Sequence, residues 1–493
     1  MNLIFEPWIP ALRINGCREL FSLHDFFSQA HQIRDLAVKP HERIALMRLL
    51  ICLTQASLNG PADEGEWEAC QSHIQSRVLD YLKQWKTSFE LMGEGVRFLQ
   101  LPNLKPGKES DEGNASTKLD LALATGNNST LFDNLAGVDR SLAVARSALN
   151  LLTFQCFAPG GRIGIAKWNG RDTAGSGSSN HAPCTPSSMV HSLVLGSTLL
   201  DTIHRNLLTR DDVANYYGPD RWGKPIWEQP VDSADDRLAL RNAGMTYLGR
   251  LVPLSRSIRL SDDQVSVLLA NGLDYPIFPA FREATATVVN RKDELALLPA
   301  STSRSLWRQL GAVSVIRRAA AEPVRGPLAL NHLPAASETT LWVGALVTDK
   351  AKIEDVVEST YSLPAGLFTE FGRLAYEKAV AFSEERESQL IQAVKIYAST
   401  LKVVSPANDR ARQYYWTSVE QHLSALFDLA RNTDLIADLP GSAWGRAIQE
   451  AAFSAYERFC SRQTSRQIQA YALGLRKLTF VAKSTKPITT LHE

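Results

Sequence analysis

Residues 157–180, FAPGGRIGIAKWNGRDTAGSGSSN, hold the densest chemistry-bearing pattern in the chain: Gly160, Gly161, Gly164, Gly170, Gly175 and Gly177 interleaved with Arg162, Lys167 and Arg171. Glycine lets backbone approach a ligand closely, and basic neighbours supply charge toward phosphate. The spacing fits neither GxxxxGK[ST] nor a GxGxxG after a strand, so a nucleotide cofactor is not expected here. Two readings stay open on composition: a flexible linker, or a loop that meets nucleic acid. A second pattern is C-terminal. Arg458, Arg462, Arg466, Arg476, Lys477, Lys483 and Lys486 occur with no acidic residue among them. In a helix, the fourfold spacing of Arg458, Arg462 and Arg466 makes a basic ridge able to track phosphates, or an ordinary solvated face. A smaller basic group comprises Arg304, Arg308, Arg317, Arg318 and Arg325. The third pattern, TDKAKIED at 348–355, follows the strand-like LWVGALV. Thr348, Asp349 and Lys350 read either as a hairpin tip or as a helix N-cap.

Signatures of catalysis are missing. The sequence has no HExxH, GxSxG or kinase motif. The histidines His191, His204 and His332 have no Cys or carboxylate partner nearby in sequence and read as structural. The six cysteines include no CxxC pair, and only His181 and Cys184 lie close together, so neither a metal centre nor a disulfide framework is expected. No catalytic residue, cofactor or metal is assigned. With 53 Lys+Arg against 52 Asp+Glu, any nucleic-acid surface must come from the distribution of charge. The opening MNLIFEPWIP is no signal peptide, and no run of about 18 apolar residues could span a membrane. A reducing cytoplasm suits this chain.

These residues need positioning, and 493 residues allow several domains. Residues 1–100 read as an extended opening followed by helix, with Ile44, Met47, Leu50 and Ile51 on one face and Gly60-Pro61 as the stop. Residues 102–118 are polar and rich in turn formers, residues 119–210 a helix-and-loop block, and residues 211–360 short strands and loops. From Phe368 onward long helical periods take over. Four stripes are expected on four antiparallel helices: Phe371–Phe382, Leu390–Leu401, Trp416–Phe427 and one beginning at Trp444. The fold class is α+β: a mixed α/β domain over 1–362, then a C-terminal four-helix bundle over 363–493.

Several ordered segments resemble one family, the large subunit of the type I-E CRISPR Cascade surveillance complex (the CasA family). They are LIFEPWIP, LALATGNNSTLFDNLAG, LLTFQCFAPGGRIG, LGSTLLDTIHRNLL, KPIWEQP, MTYLGRLVPLSRSIRL, VGALVTDKAKIEDVVE and ARQYYWTSVEQHL. The likeness runs nearly end to end. It implies a non-catalytic subunit in antiviral defence. Such a subunit binds the guide RNA 5′ end, recognises the protospacer-adjacent motif (PAM) in double-stranded DNA, starts R-loop formation and helps recruit the helicase-nuclease. Its partners would be the backbone and small Cascade subunits, guide RNA and target DNA, with no membrane. By motif, Gly160, Gly161 and Gly164 resemble the loop facing the PAM minor groove. Thr348, Asp349 and Lys350 resemble the wedge tip, and Asn127, Asn128, Ser129 and Phe132 the guide or PAM-proximal loop. Arg162, Lys167, Arg458, Arg462 and Arg466 are candidate phosphate contacts. Two departures stand out: a four-cysteine cluster found in some members is absent, and SDDQVSVLLANGLDY lacks the family's minor-groove lysine, leaving Arg256 or Arg259 to replace it. A protein-only scaffold and a nucleotide-dependent enzyme built on the glycine loop are the alternative functions.

Overall fold

Pro40 opens the longest helix of the N-terminal part, Pro40–Leu58, because proline at a first turn forfeits no intrahelical hydrogen bond. Glu42 reaches back to accept from the Lys39 backbone N–H (2.9 Å), and Asn59, with φ 52°, ends the helix in the left-handed region. The one-sided stripe expected here is replaced by burial all round, from His41 to Gln55. This helix is the centre of the core, so its polar residues must be satisfied internally. Gln55 donates to the Leu208 carbonyl (2.6 Å) and accepts from Tyr247 Oη (2.7 Å). Arg48 donates to the carbonyls of Arg250 (2.6 Å) and Leu251 (2.8 Å) and pairs with Glu283 (2.6 Å). Arg250 holds the other Glu283 oxygen at 2.6 Å. Burial alone would raise the Glu283 pKa, but the two guanidiniums outweigh it and hold the carboxyl at about 2.

This is a computed structural model. It describes residues 1–107, 113–123, 143–161, 163–173, 182–316, 324–334, 337–403 and 407–479. The chain divides into two compact units, Met1–Pro334 with Thr339–Ser362, and Ala335–Glu338 with Leu363–Glu493.

In the first unit, small sheets alternate with helices. Ile9–Arg13 pairs antiparallel with Arg18–Phe21 and Ile33–Leu36. Ser266–Asn271 lies between Arg256–Leu260 and Asn114–Ala115, and Ala166–Trp168 between Leu104–Pro106 and Arg171–Asp172. A last sheet orders Lys352–Leu363, Thr339–Asp349 and His191–Leu195, with Trp342 opposite Leu193. Residues 211–360 are not only strands and loops: Arg237–Met245 and Tyr247–Leu251 are helical, each started by an accepting side chain, Asp236 and Thr246.

In the second unit, the first two expected stripes lie on one continuous 32-residue helix, Glu370–Leu401. No glycine, proline or cap interrupts residues 383–389, so nothing stops the helix there. The third stripe spans two helices, Ala407–Glu420 and Leu423–Arg431; the others are Ala443–Phe459 and Ser465–Thr479. Packing centres on the long helix. Trp444 Nε1 donates to the Ala379 carbonyl (3.1 Å) and Tyr415 Oη to that of Ser383 (2.7 Å). Gly474 lets the last helix approach: a Cβ there would stand 2.6 Å from the Ala393 carbonyl oxygen. Phe371 and Leu374, expected on a buried face, are 78% and 44% exposed.

Candidate nucleic-acid interface

The glycine segment leaves the end of helix Val144–Phe157 and returns beside it. Ala182 N–H donates to the Ala158 carbonyl and Cys184 N–H to that of Cys156, both at 3.1 Å, which closes the neck of the segment. Gln155, fully buried, fixes the last helical turn to strand Arg256–Leu260: its Nε2 donates to the Arg256 carbonyl (2.9 Å), and its Oε1 accepts from Arg256 N–H (2.8 Å). Beyond the helix, Gly160 is buried and Gly161 exposed. Gly161 takes φ +139°, a conformation that side-chain-bearing residues rarely adopt. Gly164 and Lys167 are also exposed, Lys167 opposite Lys105 and Asp172 in its sheet.

Thr348, Asp349 and Lys350 form a hairpin tip, because the strand resumes at Lys352; no helix follows, which removes the N-cap reading. Lys350 adopts φ 54° to make the turn, and Asp349 and Lys350 are exposed. The root is pinned by Ser188, only 6% exposed, whose Oγ accepts from Thr348 N–H (2.9 Å) and faces the Thr348 carbonyl at 3.2 Å. The tip and the glycine loop meet. A Cβ on Gly161 would stand 3.3 Å from Ala351 Cβ, although positions 161 and 351 lie 190 residues apart.

Arg256 is not the outward finger that could stand in for the missing lysine. It is 2% exposed and lies beneath the loop, donating to the carbonyls of Ser255 (2.7 Å) and Pro159 (2.9 Å). Burial lowers its guanidinium pKa to about 10. Arg259 is half-buried on the same strand, and its pKa is lowered by burial and then by Arg97.

Asn127, Asn128, Ser129, Phe132 and Arg162 lie outside the described residues, as do Arg317, Arg318, Lys483 and Lys486. The two stems of segment 124–142 are tied together, however. Arg146 Nη2 bridges Asp120 (2.9 Å) and Glu42 (2.7 Å), and Lys39 lies 3.6 Å from Asp120. Burial raises the Asp120 pKa, but Arg146 and Lys39 more than reverse this, keeping it below the ordinary value. Beside them His41, buried, is held neutral with a pKa of about 4.

The expected one-helix ridge is not formed. Helix Ala443–Phe459 ends before Arg462, and Arg466 sits on the next helix. All three arginines are exposed. Arg458 lies over Tyr414 (5.1 Å) and Arg462 over Tyr471 (4.8 Å), while Arg466 donates to the Leu401 carbonyl at 3.3 Å. His191 and His204 are held by backbone and hydroxyl partners, and His332 by Asp212 at 2.6 Å, as structural histidines are.

A family model described as CRISPR-associated protein Cse1 matches residues 2–455. The chain belongs to the Cse1 family. CasA/Cse1 of Thermus thermophilus is 29% identical over 408 residues, covering 78% of this chain and 75% of that protein. A solved structure of the Thermus thermophilus protein superposes with a TM-score of 0.74 at 26% identity, over 97% of this chain and 99% of the other. The same fold occurs in a chain of a CRISPR RNA-guided surveillance complex, with TM-score 0.73 and 18% identity over 97% and 99% of the two chains. The resemblance read in the ordered segments is therefore correct for this Cse1-family chain, and so is its mixed helix-and-sheet class. Sequence reasoning missed Ser188 and Gln155. Both act through backbone groups of distant residues, and local sequence carries no signal for that.

Proposed function

We propose that this Cse1-family chain is the non-catalytic large subunit of a type I-E Cascade complex, acting in the cytoplasm. It holds the guide RNA 5′ end through segment 124–142 and recognises the PAM in duplex DNA with Gly160, Gly161 and Gly164. The tip Thr348–Lys350 then starts strand separation. It binds the backbone and small Cascade subunits and helps recruit the helicase-nuclease. One observation carries this reading: the glycine loop and the hairpin tip, the two elements a duplex-opening subunit needs, stand side by side.

The chemistry is consistent. A minor groove offers mainly an A·T-versus-G·C pattern, which suits a short, loosely specified motif. Bare backbone at Gly161 can enter a groove about 6 Å wide where a side chain would clash. Unstacking a base step costs roughly a few kcal/mol, which an inserted tip and phosphate contacts offset. Strand exchange with the guide is then nearly balanced, so nucleation is the step a protein has to assist.

Gly161→Asp tests the assignment. It adds bulk against Ala351 and a negative charge toward phosphate at an exposed position. Incorporation into the complex should be normal, and affinity for PAM-containing duplex in an electrophoretic shift assay should fall by about tenfold or more. Unchanged affinity would count against the loop as a DNA-reading element.

A further inference from the structure

Resting on that reading, we propose that the glycine loop and the hairpin tip work as one unit. The Gly161–Ala351 contact sets their separation, and Arg256 and Ser188 are the positioning residues that lock each side. Four observations converge on this. The gap between loop and tip is the space of one missing methyl: a Cβ on Gly161 would meet Ala351 Cβ at 3.3 Å, closer than ordinary van der Waals contact. The loop is held from below by Arg256, which donates to the Pro159 carbonyl immediately before Gly160. Among the described residues no carboxylate pairs with Arg256, so its hydrogen-bonding capacity is directed to backbone carbonyls. The tip is held from its root by Ser188, which exchanges hydrogen bonds with both backbone groups of Thr348.

Both supports stand on structure that does not yield easily. Arg256 belongs to a strand whose N–H is fastened to Gln155 and whose register with Ser266–Asn271 runs from Arg256–Asn271 to Leu260–Val267. Ser188 follows Ser187, and the two have φ 49° and 58°, an uncommon pair of left-handed residues kept by surrounding contacts. Neither element can then shift alone without parting Gly161 from Ala351 or breaking a buried hydrogen bond. Duplex seated on the loop would thereby be presented to the tip at a fixed distance. Opening would follow from docking without a separate closing motion.

A size series at Ala351 tests this in the assembled complex. Ala351→Leu puts branched bulk into the gap; Ala351→Gly only removes the methyl. The readout is the rate of R-loop formation on a fully paired PAM target, with complex assembly and thermal melting followed in parallel. Ala351→Leu should slow the rate by about tenfold or more, and Ala351→Gly, which loses the spacing methyl but leaves the Arg256 and Ser188 supports in place, should slow it clearly less. Ser188→Ala removes one hydroxyl and should reproduce part of the defect, and its combination with Ala351→Leu should cost no more than about twofold beyond Ala351→Leu alone, since loop and tip are already parted. Arg256→Met is expected to behave like Ser188→Ala; if it melts early, Ser188→Ala decides. Ala351→Leu indistinguishable from wild type while Gly161→Asp remains defective would overturn the coupling but spare the DNA-reading assignment. Equal defects for Ala351→Leu and Ala351→Gly, or fully multiplicative defects in the double variant, would also overturn the coupling. Indifference to both Gly161→Asp and Ala351→Leu would sink the underlying reading itself.

Discussion

Glu283 carries two arginines in the middle of the first unit, both nearly sealed from water, and it holds their charges there. Removing one partner of a buried ionic group leaves the others uncompensated, at a cost of roughly 3–5 kcal/mol. Glu283→Gln should therefore lower the melting temperature clearly at pH 7. The pH dependence has a definite sign. Folding depresses the Glu283 pKa from 4.5 to about 2, so the unfolded chain binds the proton more readily. Its stabilisation is complete above about pH 4.5 and fades as pH falls toward 2. Melting curves of wild type and Glu283→Gln should differ most at pH 7 and converge as the pH drops from about 4.5 toward 2. A constant difference across that range would show that Glu283 does not stay ionised in the fold. At this scale the sequence was uneven to read. His191, His204 and His332 read as structural because no Cys or carboxylate lies beside them in sequence, and the carboxylate that His332 does meet, Asp212, is 120 positions away. Arg256 could not be placed, because whether an arginine reaches out or folds under a loop depends on a carbonyl, Pro159, nearly a hundred positions away.

Elements were legible where local periodicity decides them and illegible where termination does. The helical texture after residue 368 is plain from the apolar spacing. The fusion of two stripes into Glu370–Leu401 is not, because the polar stretch between them helps helix formation as well as loop formation. The arginine trio fails for the opposite reason. Its spacing imitates a ridge, but Cys460 is extended and ends the helix after Phe459, before the second arginine. The three remain exposed cations grouped near the ends of two helices, so phosphate binding by them is still a prediction with a number. Neutralising Arg458, Arg462 and Arg466 together should weaken the complex for many DNA sequences alike. It should also make the slope of log affinity against log salt shallower, by up to about 0.9 for each phosphate these arginines had neutralised. An unchanged slope would assign these residues to solvent or to a neighbouring subunit.

For the whole molecule, the order of segments from LIFEPWIP to ARQYYWTSVEQHL identified the family although no single segment would have, and membership holds over residues 2–455. What no linear reading supplied is the meeting of Gly161 with Ala351, since it depends on packing both elements around the same core. The central claim, that this meeting opens duplex DNA beside a recognised motif, is tested most directly by the rate of R-loop formation on paired and pre-opened targets. The comparison is wild type against a variant carrying Asp349→Ala and Lys350→Ala, at one salt concentration. If the tip offsets the cost of opening, roughly a few kcal/mol, the variant should be slow on paired DNA. It should be close to wild type on a target already bubbled next to the PAM, and negative supercoiling should partly restore the paired case. An equal defect on both substrates would contradict the account and make the tip an element of binding or assembly.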